Sequence, residues 1–397
     1  MIEANAKTLG LLDPGPALTL TRGKAHAVTK GHPWVYSNQV NEIPKDLRAG
    51  QTCPLQDTRG RFLGHGITNP ESNILWRRFT SDMSQTLMDE TWLAGQIKRA
   101  VIKRQSNPFC RIIWSDADSI PGLIVDRFGD VLVVQSVTAA IDLRLDWIAK
   151  SLNELLQPRE IVFRCDAPIR SHEGLESMVR THSGNPLPPD WYTIDGLDYY
   201  LDLEAGQKTG FYLDQRSQHS AVAKYSAGKT VLDVCCNQGA FALHCARAGA
   251  KSVEAIDISE SCIEATESNT ERNQLDITTL KANAFDFFKN QNRKWDLIIL
   301  DPPSFARNRK SVPGAMRGYK ELNLRALQSL NPGGILATYS CSHHVHEHEF
   351  FKIVSEAAAD ARKNMQILEW AHQPLDHPVL LNFPESQYLK GLILQLP

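Results

Sequence analysis

Short apolar runs alternate with turn signals over the first 81 residues. The runs are 17–20, 33–36, 62–67 and 74–79, and they are broken at Gly31, at Asp57 and Gly60, and at Asn69 with Pro70. Because short strands bounded by Gly, Pro, Asn and Asp are typical of small all-β domains, residues 1–81 are predicted to form a β-barrel. From residue 87 to about 104 the apolar positions take a helical spacing, which predicts a connector helix.

A second β-rich stretch completes a predicted central α+β module over residues 82–205. Its strand candidates are 111–114, 122–126, 131–137, 160–164, 191–194 and 199–203, with a helix at 143–156. From about residue 212 strands and helices alternate regularly, which favours a parallel sheet with helices on both faces. The predicted fold class is therefore α/β, with a Rossmann-like domain at 206–397 preceded by the small α+β module and the β-barrel.

Composition narrows the class of protein. The 397 residues are 42% hydrophobic and 22% charged, which is near the average for globular proteins, and no segment is long and apolar enough to span a bilayer. The first 20 residues lack the basic start and apolar run of a secretory signal. The eight cysteines are scattered without CxxC pairs, so reduced thiols are expected. We expect a cytoplasmic protein with no membrane segment and no metal site.

The formal net charge of −2 gives no global case for nucleic-acid binding. Residues 1–80, however, hold ten Lys and Arg against six Asp and Glu, a local balance of +4 that leaves −6 for the remainder. A basic N-terminal module on an acidic body is compatible with RNA docking. Trp34, Tyr36, Arg77 and Arg78 are the candidates there for stacking on or pairing with RNA.

A ligand crevice is predicted where a buried strand runs into a tight turn and a helix. The strand is TVLDVCC (230–236), the turn is Asn237-Gln238-Gly239, and the helix spans 240–248. The next strand, SVEAIDI (252–258), carries Asp257 at its end, which is the usual place for an acid that holds a ribose diol. Cys235 and Cys236 are interpreted as packing residues.

Three interpretations of this crevice compete. A dinucleotide enzyme would need GxGxxG to bring the backbone close to a pyrophosphate, but the turn has Gly239 followed by Ala240 and Phe241. A ligand with a ribose and no phosphate fits better, and S-adenosylmethionine is the common one. An ordinary α/β turn with an incidental aspartate is the third possibility.

Two loops at the same edge of the predicted sheet carry candidate chemistry. The strand WDLIIL (295–300) leads into Asp301-Pro302-Pro303-Ser304-Phe305, where consecutive prolines stiffen the loop. A turn at 331–334 precedes a strand at 335–339, which ends in Ser340-Cys341-Ser342. Since neighbouring parallel strands end at one edge, Cys341 is expected beside Asp301.

This pair suits methylation of carbon 5 of cytosine. A cysteine at a strand end is more often a packing residue. Methylation of C5, however, needs a thiolate, because C5 is a poor nucleophile until a thiolate adds at C6 and makes the ring enamine-like. Asp301 would contact the N3 and N4 edge of the base. A lowered pKa of Cys341 is required, and His343 or His344 is a candidate for lowering it.

At this point the sequence resembles the bacterial large-subunit ribosomal RNA cytosine-5 methyltransferases, built from a PUA domain, a central EEHEE domain and a Rossmann-like methyltransferase domain. The resemblance covers nearly the whole chain. Its motifs are GHPWVYSNQV (31–40), SIPGLIVDRFGDVLVVQ (119–135), GQKTGFYLDQR (206–216), DPPSF (301–305), RGYKELN (317–323) and the SCS around Cys341. It implies large-subunit ribosomal RNA as substrate, a possible homodimer, Cys341 as nucleophile, and RGYKELN as a segment for substrate placement.

The resemblance also implies that GQKTGFYLDQR closes the methyl-donor pocket. With the crevice, it defines a predicted S-adenosylmethionine site of these residues: Phe211, Gln215, Arg216, Asp233, Asn237, Gly239, Asp257, Ile258, Asn283, Ala284 and Asp301. This chain departs from the family where Asn283 replaces an acid, and an amide is expected to reach the adenine amino group through its carbonyl. Asn237 and Gln238 also replace family residues in the first cofactor motif.

Two other functions stay open. DPPSF is related to loops that methylate exocyclic amines, with Asp301 accepting from the amino group and Phe305 stacking on the base, and that chemistry needs no thiol. The altered positions Asn237, Gln238 and Asn283 also fit a non-catalytic RNA-binding or assembly protein whose cofactor pocket has decayed.

Overall fold

The computed structural model describes residues 13–24, 26–104, 107–206, 208–306 and 309–397. By packing, these residues form two compact units. The first comprises the described residues of Met1–Pro189, Asp202–Leu213 and Leu375–Ser386, and the second comprises those of Asp190–Leu201, Asp214–Pro374 and Gln387–Pro397. The boundaries of these two units differ from the predicted domain boundaries at residues 81 and 205. The division into three domains stays a prediction.

The N-terminal part of the first unit is the expected β-rich module. Its strands are β1 (Leu18–Thr19), β2 (Trp34–Val35), β3 (Thr52–Gln56), β4 (Phe62–Thr68) and β5 (Trp76–Thr80), with helix α1 (His26–Thr29). They form one sheet in the order β1-β3-β4-β5-β2. Apolar side chains on its inner face, among them Leu18, Leu55 and Trp76, are fully buried, so the alternating pattern of the sequence identified a real core.

The candidate RNA contacts of this module are largely used inside the first unit. Arg77 forms an ion pair with Glu173 at 3.1 Å, and Nη2 of Arg78 donates to the backbone oxygen of Val28 at 3.0 Å. Nε1 of Trp34 donates to Asp116 at 2.9 Å. These contacts argue against the predicted pairing of the two arginines with RNA.

The central sheet of the first unit follows the predicted strand order and adds one strand. Its elements are α2 (Glu90–Arg104), β6 (Phe109–Trp114), β7 (Leu123–Phe128), β8 (Val131–Ser136), α3 (Ala139–Asp142), α4 (Leu145–Leu156), β9 (Glu160–Cys165) and β10 (Met178–Thr181). The sheet order is β10-β9-β8-β7-β6. β10 was not predicted, because it is a four-residue edge strand with only one buried side chain.

A hairpin of β11 (Asp190–Ile194) and β12 (Leu197–Leu201) opens the second unit. Two asparagines further along the chain bind its backbone. Asn269 lies in a later helix, α7 (Glu260–Arg272), and its Oδ1 accepts from the Tyr200 N–H. Asn273 directly follows α7, and its Oδ1 accepts from the Asp198 N–H. The sequence placed these strands in the central module, but their side-chain partners belong to the second unit.

The remainder of the second unit is the predicted α/β domain. In chain order its elements are α5 (Arg216–Ala223), β13 (Thr230–Val234), α6 (Ala240–Arg247), β14 (Ser252–Asp257), α7, β15 (Thr278–Lys281), α8 (Ala284–Lys289), β16 (Trp295–Leu300), α9 (Val312–Gln328), β17 (Leu330–Ser340), α10 (Glu347–Asp360), β18 (Gln366–His372) and β19 (Lys390–Gln395). Among the described helices, none is long and apolar enough to cross a membrane.

These seven strands form one sheet in the order β15-β14-β13-β16-β17-β19-β18. β19 is antiparallel to both of its neighbours, and the other pairs are parallel. The strand order reverses between β13 and β16, which is where ligands bind in open α/β sheets, outside the carboxyl ends of the strands.

One element differs from its prediction near this edge. Residues 331–334 were expected to be a turn before a strand at 335–339, whereas β17 runs from Leu330 to Ser340. Leu330 already pairs with Trp295 and Ile335 with Leu297, and the register shifts between these pairs. The Pro-Gly-Gly segment is therefore an irregularity within one strand, with Gly333 at φ +73°.

Candidate active site

The sheet register brings the two predicted chemical loops to the same edge. Leu300 pairs with Thr338 across β16 and β17, so Asp301 follows the end of one strand and Cys341 lies just beyond the end of the next. The Asp301 N–H donates to the Val234 carbonyl at 3.4 Å, at the end of β13. The carboxylate, the thiol-bearing loop and the cofactor turn thus leave the sheet at adjacent strand ends.

A buried serine joins the two loops. The hydroxyl of Ser342 lies 2.9 Å from that of Ser304 in the DPPSF loop, and the Ala306 N–H donates to it at 3.4 Å. Ser342 is completely buried, whereas its neighbour Cys341 is half-buried. The residue after the candidate nucleophile therefore anchors its loop, while the thiol itself stays partly accessible.

Tyr319 of α9 is a second anchor that sequence reasoning did not single out. Its hydroxyl lies 2.9 Å from the Ser342 hydroxyl, and its ring packs against Phe305 with centroids 4.7 Å apart. Burial, followed by the charge of Cys341, raises the pKa of Tyr319 to about 12, so the phenol is neutral at physiological pH. Its place in RGYKELN was the available signal, since that segment was expected to serve substrate placement.

Lys390 is the other functional candidate that the sequence did not indicate. Its side chain is 3% exposed, and Nζ donates to the carbonyls of Ser342 at 2.6 Å and Tyr388 at 2.9 Å. The residue begins β19, whose antiparallel register pairs it with Ser340. A buried ammonium therefore contacts the backbone directly after Cys341.

The two histidines proposed to assist Cys341 have different surroundings. The exposed His343 stacks on Tyr388, with ring centroids 5.2 Å apart and planes at 28°. His344 is half-buried in the same loop. Their assistance to the Cys341 thiol stays a prediction.

The cofactor turn has a backbone that few sequences can adopt. Cys235, Asn237 and Gly239 all have positive φ, at +65°, +51° and +77°. A side chain on Gly239 would place its Cβ 2.6 Å from Cγ2 of Thr266, so glycine is required both by φ and by space. Thr266 also donates to the Asn237 carbonyl at 3.0 Å, which fixes the turn against α7.

Asp257 lies where a ribose-binding acid was expected. It ends β14, and its carboxylate accepts from the N–H groups of Asn237 at 3.1 Å and Ser259 at 2.9 Å. Ile258, the next residue, is 65% exposed. An exposed branched apolar side chain beside a fixed carboxylate is suited to a nucleoside, because it can pack on the base while the acid binds the ribose.

Asp233 is a buried carboxyl group of the crevice with a raised pKa. It is completely buried in β13, where Oδ2 accepts from the Ala242 N–H at 3.0 Å, and Oδ1 has no hydrogen-bond partner among the described residues. Burial, with the charges of Asp301 and Asp257, raises its pKa to about 8. Asp233 is therefore largely protonated at neutral pH and supports the start of α6.

Asn283 caps a helix with the oxygen that was expected to reach the adenine. Its Oδ1 accepts from the N–H groups of Phe285 at 2.9 Å and Asp286 at 3.4 Å, so Asn283 is the N-cap of α8. The predicted carbonyl contact would have to share this oxygen with two backbone donors. Ala284 begins α8 and is half-buried.

The remaining predicted pocket residues belong to different units. Phe211 is buried in the first unit. Gln215 and Arg216 belong to the second, where Arg216 forms an ion pair with Asp195 of the β11–β12 turn, Nε donating at 2.9 Å. Gln215 is 3% exposed, and its Oε1 has no hydrogen-bond partner among the described residues.

The crevice residues of the second unit fit S-adenosylmethionine. Asp257 offers a carboxylate to a ribose, Ile258 offers an apolar face to a base, and Asp233 and Gln215 each carry a buried polar atom with no described partner. Nothing in this arrangement provides the succession of glycine N–H groups that a pyrophosphate needs.

An open groove lies beside the DPPSF loop in the same unit. Its volume is about 540 Å³, and Phe285, Phe305, Lys310 and Arg317 line it. The two phenylalanine rings have centroids 6.3 Å apart, and both cationic side chains are exposed. Aromatic faces next to cations are the means by which proteins bind unpaired nucleotides.

Comparison with known proteins assigns the family. Residues 157–386 match the S-adenosylmethionine-dependent methyltransferase family, and residues 18–81 match a PUA-like domain. Ribosomal RNA large subunit methyltransferase I of Shewanella frigidimarina is 36% identical over 393 residues, which cover 96% of this chain and 99% of that protein. The chain belongs to this methyltransferase family. The family member from Aeromonas salmonicida is 35% identical and covers 95% and 98% of the two chains.

Solved structures support the fold alone. A Streptococcus mutans protein assigned to the SAM-dependent methyltransferases superposes with a TM-score of 0.83 at 20% identity, covering 96% of this chain and 100% of its own. A methyltransferase complexed with SAH gives the same TM-score at 21% identity, with the same coverage.

Family membership decides three of the sequence predictions. The Rossmann-like methyltransferase domain and the PUA-like domain are confirmed, and so is S-adenosylmethionine as the cofactor. The dinucleotide interpretation of the crevice is wrong. Among the described residues, no group of three or more His, Cys, Asp or Glu side chains is placed to hold a metal ion.

Proposed function

We propose that this methyltransferase forms 5-methylcytosine in large-subunit ribosomal RNA through a covalent adduct between Cys341 and carbon 6 of the base. The substrate class follows from the relatives that match almost the whole chain, which are named as large-subunit ribosomal RNA methyltransferases. The base and the covalent step rest on one observation: a partly accessible thiol follows the strand next to the one that delivers Asp301.

The other thiols are poorly suited to this role. Six of the eight cysteines are buried. Cys235 is half-buried in the cofactor turn, and burial together with the charges of Asp257 and Asp301 raises its thiol pKa well above the usual value. Cys341 alone belongs to the loops that leave β16 and β17, so it is the thiol we assign to the reaction.

The reaction requires four events at the base. The Cys341 thiolate forms a bond to C6, and the electron pair of the C5–C6 double bond moves to C5 and, by conjugation, toward N3. C5 would then use that pair to bond the methyl group that S-adenosylmethionine supplies, while the methyl–sulfur bond breaks and its electron pair stays on the departing sulfur. A base removes the C5 proton, the double bond returns, and the S–C6 bond breaks to release the thiolate. Asp301 binds the N3 and N4 edge of the cytosine and stabilises the ring while the adduct exists.

The crevice holds the methyl donor for this reaction. When bound, S-adenosylmethionine supplies an electrophilic methyl group carried by a sulfonium. We assign Asp257 to its ribose and Ile258 with Ala284 to its adenine, while Asn237 and Gly239 shape the turn against which it lies. Asp233, Asn283, Gln215 and Arg216 complete the proposed site in the second unit. The predicted role of Phe211, which belongs to the first unit, stays a prediction.

The groove beside DPPSF provides the RNA contacts in this scheme. Lys310 and Arg317 would bind phosphates, and Phe285 and Phe305 would stack on bases that neighbour the cytosine. This placement gives RNA binding to the methyltransferase unit itself and does not depend on the PUA-like domain.

A covalent trap tests the mechanism. Ribosomal RNA transcribed with 5-fluorocytidine cannot lose its C5 substituent as a proton, so the adduct should accumulate and migrate with the protein on a denaturing gel when S-adenosylmethionine is present. The wild-type protein should form this adduct and Cys341→Ala should not, with Cys235→Ala as the matched thiol control.

Activity on unmodified ribosomal RNA separates the alternatives. We expect 5-methylcytidine by nucleoside mass spectrometry, lost in Cys341→Ala. Full methylation by Cys341→Ala at an exocyclic amine would instead establish the thiol-independent function of DPPSF. Absence of S-adenosylmethionine binding in calorimetry would establish the non-catalytic RNA-binding function.

A further inference from the structure

We propose that Lys390 is a positioning residue that holds a positive charge beside Cys341 and so favours its thiolate form. This role rests on the proposed function, in which Cys341 attacks the base as a thiolate. It assigns a specific source of activation to a nucleophile for which the sequence offered only two neighbouring histidines.

The position of Lys390 is fixed by the sheet and by two hydrogen bonds. The antiparallel pairing of β17 and β19 sets Lys390 opposite Ser340, the residue before Cys341. From there Nζ donates to the carbonyl of Ser342, the residue after Cys341, at 2.6 Å. A second bond to the Tyr388 carbonyl, at 2.9 Å, holds the side chain in place. From its backbone to its ammonium group, Lys390 therefore runs alongside the short segment Ser340–Ser342 that carries the thiol.

Electrostatics supports the same pairing. Burial lowers the pKa of Lys390 to about 8, and the negative charge of Cys341 is the largest influence that opposes this shift, ahead of Glu347 and Glu349. An interaction that favours the ammonium in the presence of a thiolate must favour the thiolate equally in the presence of the ammonium. At pH 7 the group is still mostly protonated, so the charge is available when the enzyme works.

Other titratable groups also lie around the loop. Tyr319 is neutral at pH 7 and contacts Ser342 from α9. His372, which pairs with Lys390 across β18 and β19, lies 2.7 Å from Glu347. The titratable side chains around the Cys341 loop and Lys390 are Asp301, Tyr319, His343, His344, Glu347, Glu349, His372 and Tyr388.

The charge acts twice in the proposed reaction. Before attack, the thiol proton passes to water and the ammonium keeps its own protons, which leaves a thiolate beside a cation. At the end, the S–C6 bond breaks and its electron pair returns to sulfur, so the same cation stabilises the leaving thiolate. Lys390 exchanges no proton with the substrate in either step.

Alkylation of Cys341 by iodoacetamide measures thiolate formation without RNA. The rate is read at the Cys341 peptide by mass spectrometry over pH 6 to 10, for the full-length wild type, Lys390→Gln and Lys390→Arg. Glutamine still donates a hydrogen bond but is neutral, whereas arginine keeps the charge. We expect Lys390→Gln to react about tenfold more slowly at pH 7, as removal of a nearby opposite charge predicts, and Lys390→Arg to recover most of the rate.

Each outcome decides the proposal. Equal rates in all three proteins, or equal losses in both variants, would overturn it, because only a charge effect separates glutamine from arginine. If Lys390→Gln fails to fold by circular dichroism, the wild-type pH profile decides: half-maximal alkylation clearly below pH 8.5, the value of a free thiol, supports the proposal, and a value at or above it overturns it.

The covalent trap with 5-fluorocytidine distinguishes this proposal from the proposed function. If Lys390→Gln slows the alkylation of Cys341 as expected but the wild type forms no adduct with the RNA, the cytosine mechanism is refuted and the coupling of Lys390 to Cys341 stands. An adduct with no Lys390 effect would refute the coupling and leave the mechanism intact.

Discussion

The hydroxyl groups of Tyr319 and Ser342 lie 2.9 Å apart, which joins helix α9 to the loop that carries Cys341. Both side chains are completely buried, so no water competes for this contact. Because Ser342 also contacts Ser304, one hydroxyl fixes the nucleophile loop, the DPPSF loop and α9 together.

Removal of this phenol should loosen the active site more than the protein. Tyr319→Phe should lower the free energy of unfolding by about 1 kcal/mol, the usual worth of a buried hydrogen bond, and should lower kcat roughly tenfold because the loops lose alignment. Urea unfolding and steady-state methylation measure the two effects. Tyr225→Phe, which removes a hydroxyl bonded to Glu369 at 2.7 Å, is the control, and an equal loss of kcat there would contradict the role of Tyr319.

The glycine of the cofactor turn offers a test of the crevice. Gly239→Ala should destabilise the protein by about 2 kcal/mol, because the methyl group meets Thr266 and the residue keeps a positive φ, and it should weaken S-adenosylmethionine binding roughly tenfold. Gly249→Ala also has a positive φ but meets no atom within 4 Å, so it should cost about 1 kcal/mol. Calorimetry with unchanged affinity in Gly239→Ala would remove this turn from the cofactor site.

Asp233 predicts a specific pH dependence of stability. Its pKa is about 8 in the folded protein against an ordinary 3.8, so between these values the folded state retains a proton that the unfolded state has lost. Stability contributed by this group is complete below pH 4 and declines as the pH rises through 8. Asp233→Asn resembles the protonated acid and should lack this decline.

The difference in unfolding free energy between Asp233→Asn and the wild type should therefore grow by roughly 1.4 kcal/mol per pH unit within that window. Urea unfolding at several pH values between 4 and 9 measures it. A difference that does not change with pH would show that Asp233 is ionised in the folded protein.

The groove beside DPPSF predicts a salt-dependent contribution to RNA binding. Lys310→Ala with Arg317→Ala should weaken binding at low salt and reduce the slope of log K against log salt concentration by about 1.4, since each phosphate contact on a single strand contributes about 0.7. Filter binding of ribosomal RNA fragments measures the slope. Lys352→Ala removes an exposed charge of α10 that does not line the groove, and the same change of slope there would contradict a local site.

Much of the architecture could be predicted from the sequence, because it follows from local patterns. Buried strands such as β13 and β16 are mainly apolar runs ending in a polar turn, and parallel neighbours must end at one edge. Asp301 and Cys341 could therefore be placed together. Family membership confirmed the fold class and the cofactor.

The contributions of distant segments could not be predicted in this way. Lys390 is 49 residues beyond Cys341 in the sequence, and only the order of β17, β19 and β18 brings the two together. The β11–β12 hairpin is stabilised by asparagines of the α7 region about 70 residues later. Neither relation leaves a periodic signal, because a single hydrogen-bonding side chain has no pattern along the chain.

The first unit combines stretches that are far apart in the sequence, and this separation affects how it folds during synthesis. The stretch Leu375–Ser386 binds to residues much earlier in the chain. The backbone N–H of Arg111 donates to the carboxylate of Asp376, 265 residues further on, and the Arg104 side chain donates to the carbonyl of Asp376. At a synthesis rate of about 5 to 20 residues per second, the ribosome needs tens of seconds to supply that partner. During this interval the free edge of β6, the edge strand of the central sheet, lacks the carboxylate that accepts its N–H in the folded protein.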